Sequence, residues 1–352
     1  VFFFFLFRTS VEFCILRTIK KREGFFLKKK DKNCITLFLW RKTKSCFRHY
    51  LLCNDAFFSC NSQLVHFFGT ILVATLKIAP PNSYALILGV SSGFGGHTAI
   101  ELAKAGYHIF GVHLDRAATM PIAEATKAEI EKAGVKAIFF NVNAADEARR
   151  KEVVAAMKQE FAGVEGEPPS VKVLMHSLAF GSLKSLVAED PADTLTQKQI
   201  EMTLDVMANS LVYWTQDVLQ AKLFGRGGRI FAMTSGGSSR VLPMYGGVSA
   251  AKAALESYIR QLALELAPWG ITANAILAGV TDTAALRKIP GNDVLMDNAT
   301  MRNPSHRLTT PDDVAKLITL LTHEHASWLN GDVIRADGGE NSVDVTWWKK
   351  EG

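Results

Sequence analysis

Residues 85–106 read ALILGVSSGFGGHTAIELAKAG: four apolar residues, a turn rich in glycine, then a helical stretch ending near Ala105-Gly106. Gly89, Gly93 and Gly95 leave a strand and open a helix, the context in which a glycine turn carries meaning. A backbone bare of side chains presents its N–H groups to a pyrophosphate, and the helix N-terminus adds partial positive charge. The same order recurs down the chain. Strand His108–Val112 ends at His113, Leu114, Asp115 and Arg116, and helix Ile122–Ala133 leads to strand Lys136–Val142 and Asn143. Helix Asp146–Glu160 leads to strand Val171–Met175, followed by His176-Ser177. A long helical stretch near Thr196–Lys222 precedes strand Arg229–Met233, and a further strand spans Thr272–Leu277. A helix then opens on Thr310 with Pro311 at its first position, and Val333–Ala336 is the last strand.

Strands that alternate with helices of about ten residues or more need parallel crossovers. The expected fold is α/β, a doubly wound parallel sheet covered on both faces, as one domain over residues 79–352. Ligands on such sheets bind at the carboxyl ends of the strands, where Gly89, His113, Asn143, Ser177, Ser235 and Gly279 stand. After the second strand, an acid would accept from a free ribose 2′-hydroxyl and a base would pair with a 2′-phosphate. Asp115 and Arg116 offer both, so the residues leave open whether that ribose carries a free hydroxyl or a phosphate.

Residues 235–252, SGGSSRVLPMYGGVSAAK, supply a hydroxyl at Ser235, a phenol at Tyr245 and an ammonium at Lys252. Apolar residues Ala251, Leu255, Tyr258, Ile259, Leu262 and Leu266 follow at the spacing of a buried helical face, until Pro268 and Gly270 stop it. Tyr245 precedes Lys252 by about two turns of a helix with about 3.6 residues per turn, hence on the same side. A cation beside a phenol favours the phenolate and makes it a better acid near neutral pH.

Charge and cysteine divide the chain near the same place. Residues 1–80 hold 14 Lys/Arg against 4 Asp/Glu, leaving 26 against 30 in the remainder, a net of −4. That mildly acidic body gives no support for nucleic-acid or anionic-membrane binding. All five cysteines, Cys14, Cys34, Cys46, Cys53 and Cys60, lie in the first part, so the body has no disulfide framework, thiolate zinc site or cysteine nucleophile. A cytoplasmic location is compatible with this. His323-Glu324-His325 lacks the spacing of paired helical ligands, and no metal is expected. Residues 1–78 form a basic, Phe/Cys-rich extension expected to be poorly ordered. Either it is a targeting segment or it is upstream sequence translated in frame, with the start near Val73. Leu64–Leu76, interrupted by His66, is shorter than the roughly 18–20 apolar residues of a spanning helix.

From Tyr84 to Gly339 the chain resembles the short-chain dehydrogenase/reductase family. The resemblance rests on the glycine loop at Gly89, Gly93 and Gly95, on Asn143, which in the family lies by the adenine, and on GDVIRADGG at residues 331–339. It implies a nicotinamide dinucleotide, a Rossmann-type sheet and a homotetramer. Standard members carry Ser, Tyr and Lys where this chain has Ser235, Val248 and Lys252, the nearest phenol being Tyr245. That Tyr-x6-Lys spacing, with His176-Ser177 in place of Asn-Asn, resembles the enoyl-acyl-carrier-protein reductases, and DTAALRKIP after the sixth strand is similar to their NADPH-dependent type three. The implied substrate is an enoyl thioester on acyl carrier protein or coenzyme A, from fatty-acid synthesis. A ketone or 3-oxoacyl reductase of the same family and a cofactor-binding scaffold without catalysis are the alternatives.

In conjugate reduction hydride goes to C3 and charge appears on the thioester oxygen two carbons away. Setting the phenol back by three residues moves it about one helical turn, roughly 4.5 Å, as that displacement needs. The resemblance assigns Tyr245 to the enolate oxygen and Lys252 to the nicotinamide ribose, and it gives Ser235 either a catalytic role or a place in the pocket wall. It further assigns Ser91, Ser92 and Phe94 on the loop, Ser177, and Val280 and Thr283 after Gly279 to the cofactor. The family's helix-four Asn has no counterpart at Met207, and Asn209 stands two positions later. Residues 284–303, with Leu286, Ile289, Leu295, Met296 and Met301, are expected to form a mobile lid over an apolar chain.

Overall fold

The computed structural model describes residues 79–343 in full and, ahead of them, the backbone of four strands. These are β1 (Cys14–Arg17), β2 (Glu23–Asp31), β3 (Cys34–Arg41) and β4 (Arg48–Cys53), paired antiparallel in that order. They belong to a unit of its own, Val1–Thr75. Runs such as CITLFLW are rich in the β-branched and aromatic residues that suit a pleated backbone. The remaining residues of the extension, Leu64–Leu76 among them, lie outside the described residues. Among the described ones no helix is long and apolar enough to cross a membrane.

The second unit, Leu76–Gly352, holds one sheet with helices on both faces. In chain order it runs β5 (Ser83–Leu88), α1 (Gly93–Lys104), β6 (His108–His113), α2 (Met120–Glu131), β7 (Ala137–Asn141), α3 (Glu147–Ala162) and β8 (Ser170–His176). Then come α4 (Gln197–Leu204), α5 (Ser210–Gln220), β9 (Phe224–Thr234), α6 (Gly246–Glu265), β10 (Thr272–Ala278), α7 (Asn292–Arg302), α8 (Pro311–Leu321) and β11 (Val333–Ala336). The order across the sheet is β11-β10-β9-β8-β5-β6-β7, and every neighbouring pair is parallel. The winding reverses between β5 and β8, which opens a crevice at their carboxyl ends.

The pleat sorts the core. Leu86, Leu88, Phe110, Leu174 and Ile230 face one way, onto Leu211 and Trp214 of α5 and Leu255 and Ile259 of α6. Ala85, Ile87, Ile109, Val173 and Phe231 face the other, onto Leu102 of α1, Ile130 of α2 and Ile318 of α8. Each fully buried side chain of this size contributes about 1.5–3 kcal/mol. Both faces of β5 are covered, which is why its run is continuously apolar rather than alternating.

Two elements differ from expectation. The long helical stretch starts on a capping box between Thr196 and Gln199, but a π-turn at Asp205–Asn209 breaks it into α4 and α5. The expected lid segment contains a 3₁₀ turn, Leu286–Lys288, and helix α7. Leu286, Ile289, Leu295 and Met296 are half-buried there, and Met301 is exposed.

Candidate active site

The carboxyl end of β5 is shaped by backbone. Gly89 has φ +91°, and a Cβ on it would collide with the Ser177 carbonyl. One on Gly95 would collide with the Gly89 carbonyl, so α1 starts hard against the turn. Ser177 N–H donates to the Leu88 carbonyl at 2.8 Å, closing β8 onto β5. No side chain caps α1 at Ser92, its first turn holds no acid, and a Cβ on Gly93 would meet nothing within 4 Å. Free helix N–H groups before open space fit a pyrophosphate. Ser91 is anchored through its carbonyl by the Thr126 hydroxyl at 2.9 Å, and Phe94 packs on the core.

At the end of β6, His113 is buried with Nδ1 2.9 Å from the Asp115 carboxylate. The Asn141 side chain clamps the Asp115 backbone, accepting from its N–H and donating to its carbonyl, both at 2.9 Å. Burial pushes the Asp115 carboxyl up, but hydrogen bonds from Thr119, Ser91 and His113 outweigh it and hold the group below the usual carboxylate range. Arg116 is exposed and forms no ion pair among the described residues. Asn143 uses its side chain to accept the Ala145 N–H at 3.0 Å, shaping the turn into α3.

The ends of β8 and β9 carry the reactive side chains. Ser235 Oγ accepts the Gly237 N–H at 3.1 Å and the Tyr245 hydroxyl at 3.4 Å. The Tyr245 ring lies over Gly237, where a Cβ would run into it. Tyr245 is the residue before α6, with φ −98° and ψ 0°, so it stands off the helix that carries Lys252. Lys252 is buried, and its Nζ donates to the Met233 carbonyl at 2.8 Å and the Leu178 carbonyl at 3.5 Å. Burial pushes Lys252 down to about 8, opposed by Glu256. Burial moves the Tyr245 phenol up, with Ser235 opposing, so the expected lowering by a neighbouring cation is not present. The ammonium is turned onto strand carbonyls instead. Val248, in the place of the usual phenol, is buried in the core.

The loop after β10 brings a residue that the sequence did not announce. Val280 N–H, assigned by resemblance to the cofactor, donates to Glu340 Oε2 at 2.8 Å. Glu340 is buried, with Arg302 of α7 3.5 Å from its other oxygen. Thr283 Oγ1 accepts the Leu286 N–H at 3.2 Å, and Gly279 packs where a Cβ would strike Thr309 and Glu340. Glu340 lies 60 residues from Val280, with only its place after a double glycine as a signal. His176 is fully buried with Nε2 2.9 Å from Ser210 Oγ. His323 caps a surface 3₁₀ turn that contains His325, and the described residues contain no cluster able to hold a metal.

The chain is similar to known proteins. The family described as enoyl-(acyl carrier protein) reductase matches residues 89–341. A 1-cyclohexenylcarbonyl-CoA reductase from Streptomyces collinus is 30% identical over 269 residues, 76% of this chain and 90% of that protein. A 3-oxoacyl-[acyl-carrier-protein] reductase from Staphylococcus epidermidis is 28% identical over 261 residues, 73% of this chain and 98% of that one. The crystal structure of a short-chain dehydrogenase from Burkholderia cenocepacia in complex with NADP superposes with a TM-score of 0.62 at 27% identity, covering 76% of this chain and all of that one.

Proposed function

The chain belongs to the enoyl-(acyl carrier protein) reductase family, oxidoreductases with a nicotinamide cofactor, and we propose that it reduces the 2,3 double bond of an enoyl thioester. The observation that carries this is the seat of the phenol. Val248 is buried at the place where the resemblance puts the tyrosine of standard short-chain dehydrogenases, and Tyr245 presents its hydroxyl beside Ser235 at the carboxyl end of β9. A bound nicotinamide supplies the hydride. Tyr245 hydrogen-bonds the thioester oxygen, where charge collects once C3 is reduced, and Ser235 orients the phenol. Lys252, held on the Met233 carbonyl, takes the nicotinamide ribose hydroxyls and keeps positive charge at the site.

A 1-cyclohexenylcarbonyl thioester is conjugated, so the Streptomyces relative supports an unsaturated thioester on coenzyme A as well as on acyl carrier protein. The ionised, clamped Asp115 supports a free ribose 2′-hydroxyl, hence NAD(H) ahead of the NADP(H) that the type-three likeness implies. Ketone reduction is the second reading, favoured by the surviving Ser235–Tyr245 contact and by the Staphylococcus relative. Crotonyl-CoA and acetoacetyl-CoA assayed side by side with each dinucleotide decide between them. Crotonyl turnover in excess, faster with NADH, is expected; turnover of the ketone alone overturns the proposal.

A further inference from the structure

His176 stands at the end of β8 on the same face as Leu174, turned toward α5 and α6. The Ser210 hydroxyl donates to the Val206 carbonyl at 2.8 Å, inside the π-turn. With its one hydrogen so committed, Ser210 Oγ can only accept at the 2.9 Å contact with His176 Nε2. The proton therefore sits on Nε2, and Nδ1 is left as a lone pair. Nδ1 is buried and has no hydrogen-bond partner among the described residues. An unpaired buried acceptor costs about 1–3 kcal/mol.

Lys252 has a donor to spare. Its ammonium has three donors, of which two go to Met233 and Leu178. His176 pairs with Ala232 across β8 and β9, so those two carbonyls lie just beyond the His176 level on either strand. Burial, then the Lys252 charge, push the imidazole down to about 3, which keeps it neutral while Lys252 is an ammonium. The other titratable group acting on Lys252 is Glu256, on its own helix.

We propose that His176 is a positioning residue for Lys252, its Nδ1 lone pair receiving the third ammonium N–H through one bridging water. A neutral acceptor fixes the direction of the ammonium without cancelling its charge, as a carboxylate there would. Ser210 and the π-turn fix the tautomer. The inference rests on the placement of Lys252 in the reaction site, whichever thioester is reduced.

The test uses His176→Leu, which removes the acceptor, His176→Asn, which keeps one, and Ser210→Ala, which releases the tautomer. Turnover of the thioester that the wild type accepts is followed from pH 6 to 10, along with dinucleotide binding by fluorescence. Losing a hydrogen bond to the charged form lowers the Lys252 pKa. The alkaline limb of kcat is therefore expected to move down by about one unit in His176→Leu, with kcat lowered about 10- to 100-fold and the thioester KM unchanged. His176→Asn should stay within about threefold of the wild type, and Ser210→Ala should move the same way as Leu by less. An unmoved limb in His176→Leu overturns the proposal. If that variant does not fold, an unmoved limb in Ser210→Ala does so. Should the wild type reduce neither thioester, the enoyl reading fails alone, and the limb is read from dinucleotide binding.

Discussion

The carboxyl ends of β5 and β6 and those of β8 and β9 lie side by side in one sheet, yet they are made differently. The first pair is contoured by backbone: glycines with no room for a Cβ, an uncapped helix start, and Asp115 clamped through its main chain by Asn141. The second is made of ionisable side chains whose burial is incomplete or uncompensated, at Tyr245, Lys252 and His176. A surface set by sterics binds; one set by desolvated acids and bases does chemistry. If the division is real, substitutions in one half should leave the other half's measurable property alone.

The largest effect belongs to Tyr245→Phe. The ring stays on Gly237 while the hydroxyl is lost, so kcat should fall by about 10²–10⁴ and dinucleotide affinity should not change. An equal loss of both, measured by steady-state rates and fluorescence titration, would break the division. Gly89→Ala comes next, from the other side. A Cβ at φ +91° meets the Ser177 carbonyl, which should cost about 1–3 kcal/mol and weaken dinucleotide binding well before it touches the reactivity of bound enzyme. Thermal unfolding together with kcat at saturating dinucleotide checks it.

The same division explains what could be read from sequence. Strand order, the glycine turn and the β6 terminus follow from short segments, because strand, turn and helix signals act within about ten residues. Helical spacing puts Tyr245 and Lys252 on one side but says nothing of their electrostatics. The spacing holds only for one continuous helix, and Tyr245 instead precedes α6 while Lys252 turns onto Met233. Glu340 against Val280, Ser210 against His176 and Asn141 against Asp115 join residues 60, 34 and 26 apart. No local pattern encodes such contacts. The π-turn was equally hidden, since Asp205–Asn209 carries no proline or glycine to mark a break.

A smaller effect sharpens the binding half. Asp115→Ser removes the carboxylate but keeps a hydroxyl, so the NADPH-to-NADH ratio of kcat/KM should rise about tenfold, the size of one lost charge repulsion at the surface. No change in the ratio would move cofactor choice from Asp115 to Arg116, which is exposed beside it.

A further effect is on stability, and it distinguishes the halves by sign. His176 goes from 6.5 to about 3 on folding and Lys252 from 10.5 to about 8. Burial disfavours the charged form of both bases, so the unfolded chain binds more protons than the folded one in each window, and stability rises with pH there. Through His176, stability is gained between about pH 3 and 6.5; through Lys252, between about 8 and 10.5. Asp115, lowered on folding, adds stability that is fully present above the ordinary carboxylate value and is lost as pH falls through its folded one. Acid therefore weakens both halves, whereas alkali relieves only the half that holds Lys252. Replacing His176 by Asn, which does not titrate, should flatten the fall in Tm between pH 6.5 and 4 and leave the alkaline rise intact. If the acid limb is as steep in the variant as in the wild type, the buried imidazole is not the group that acid attacks, and the carboxylates of the binding half carry that limb alone.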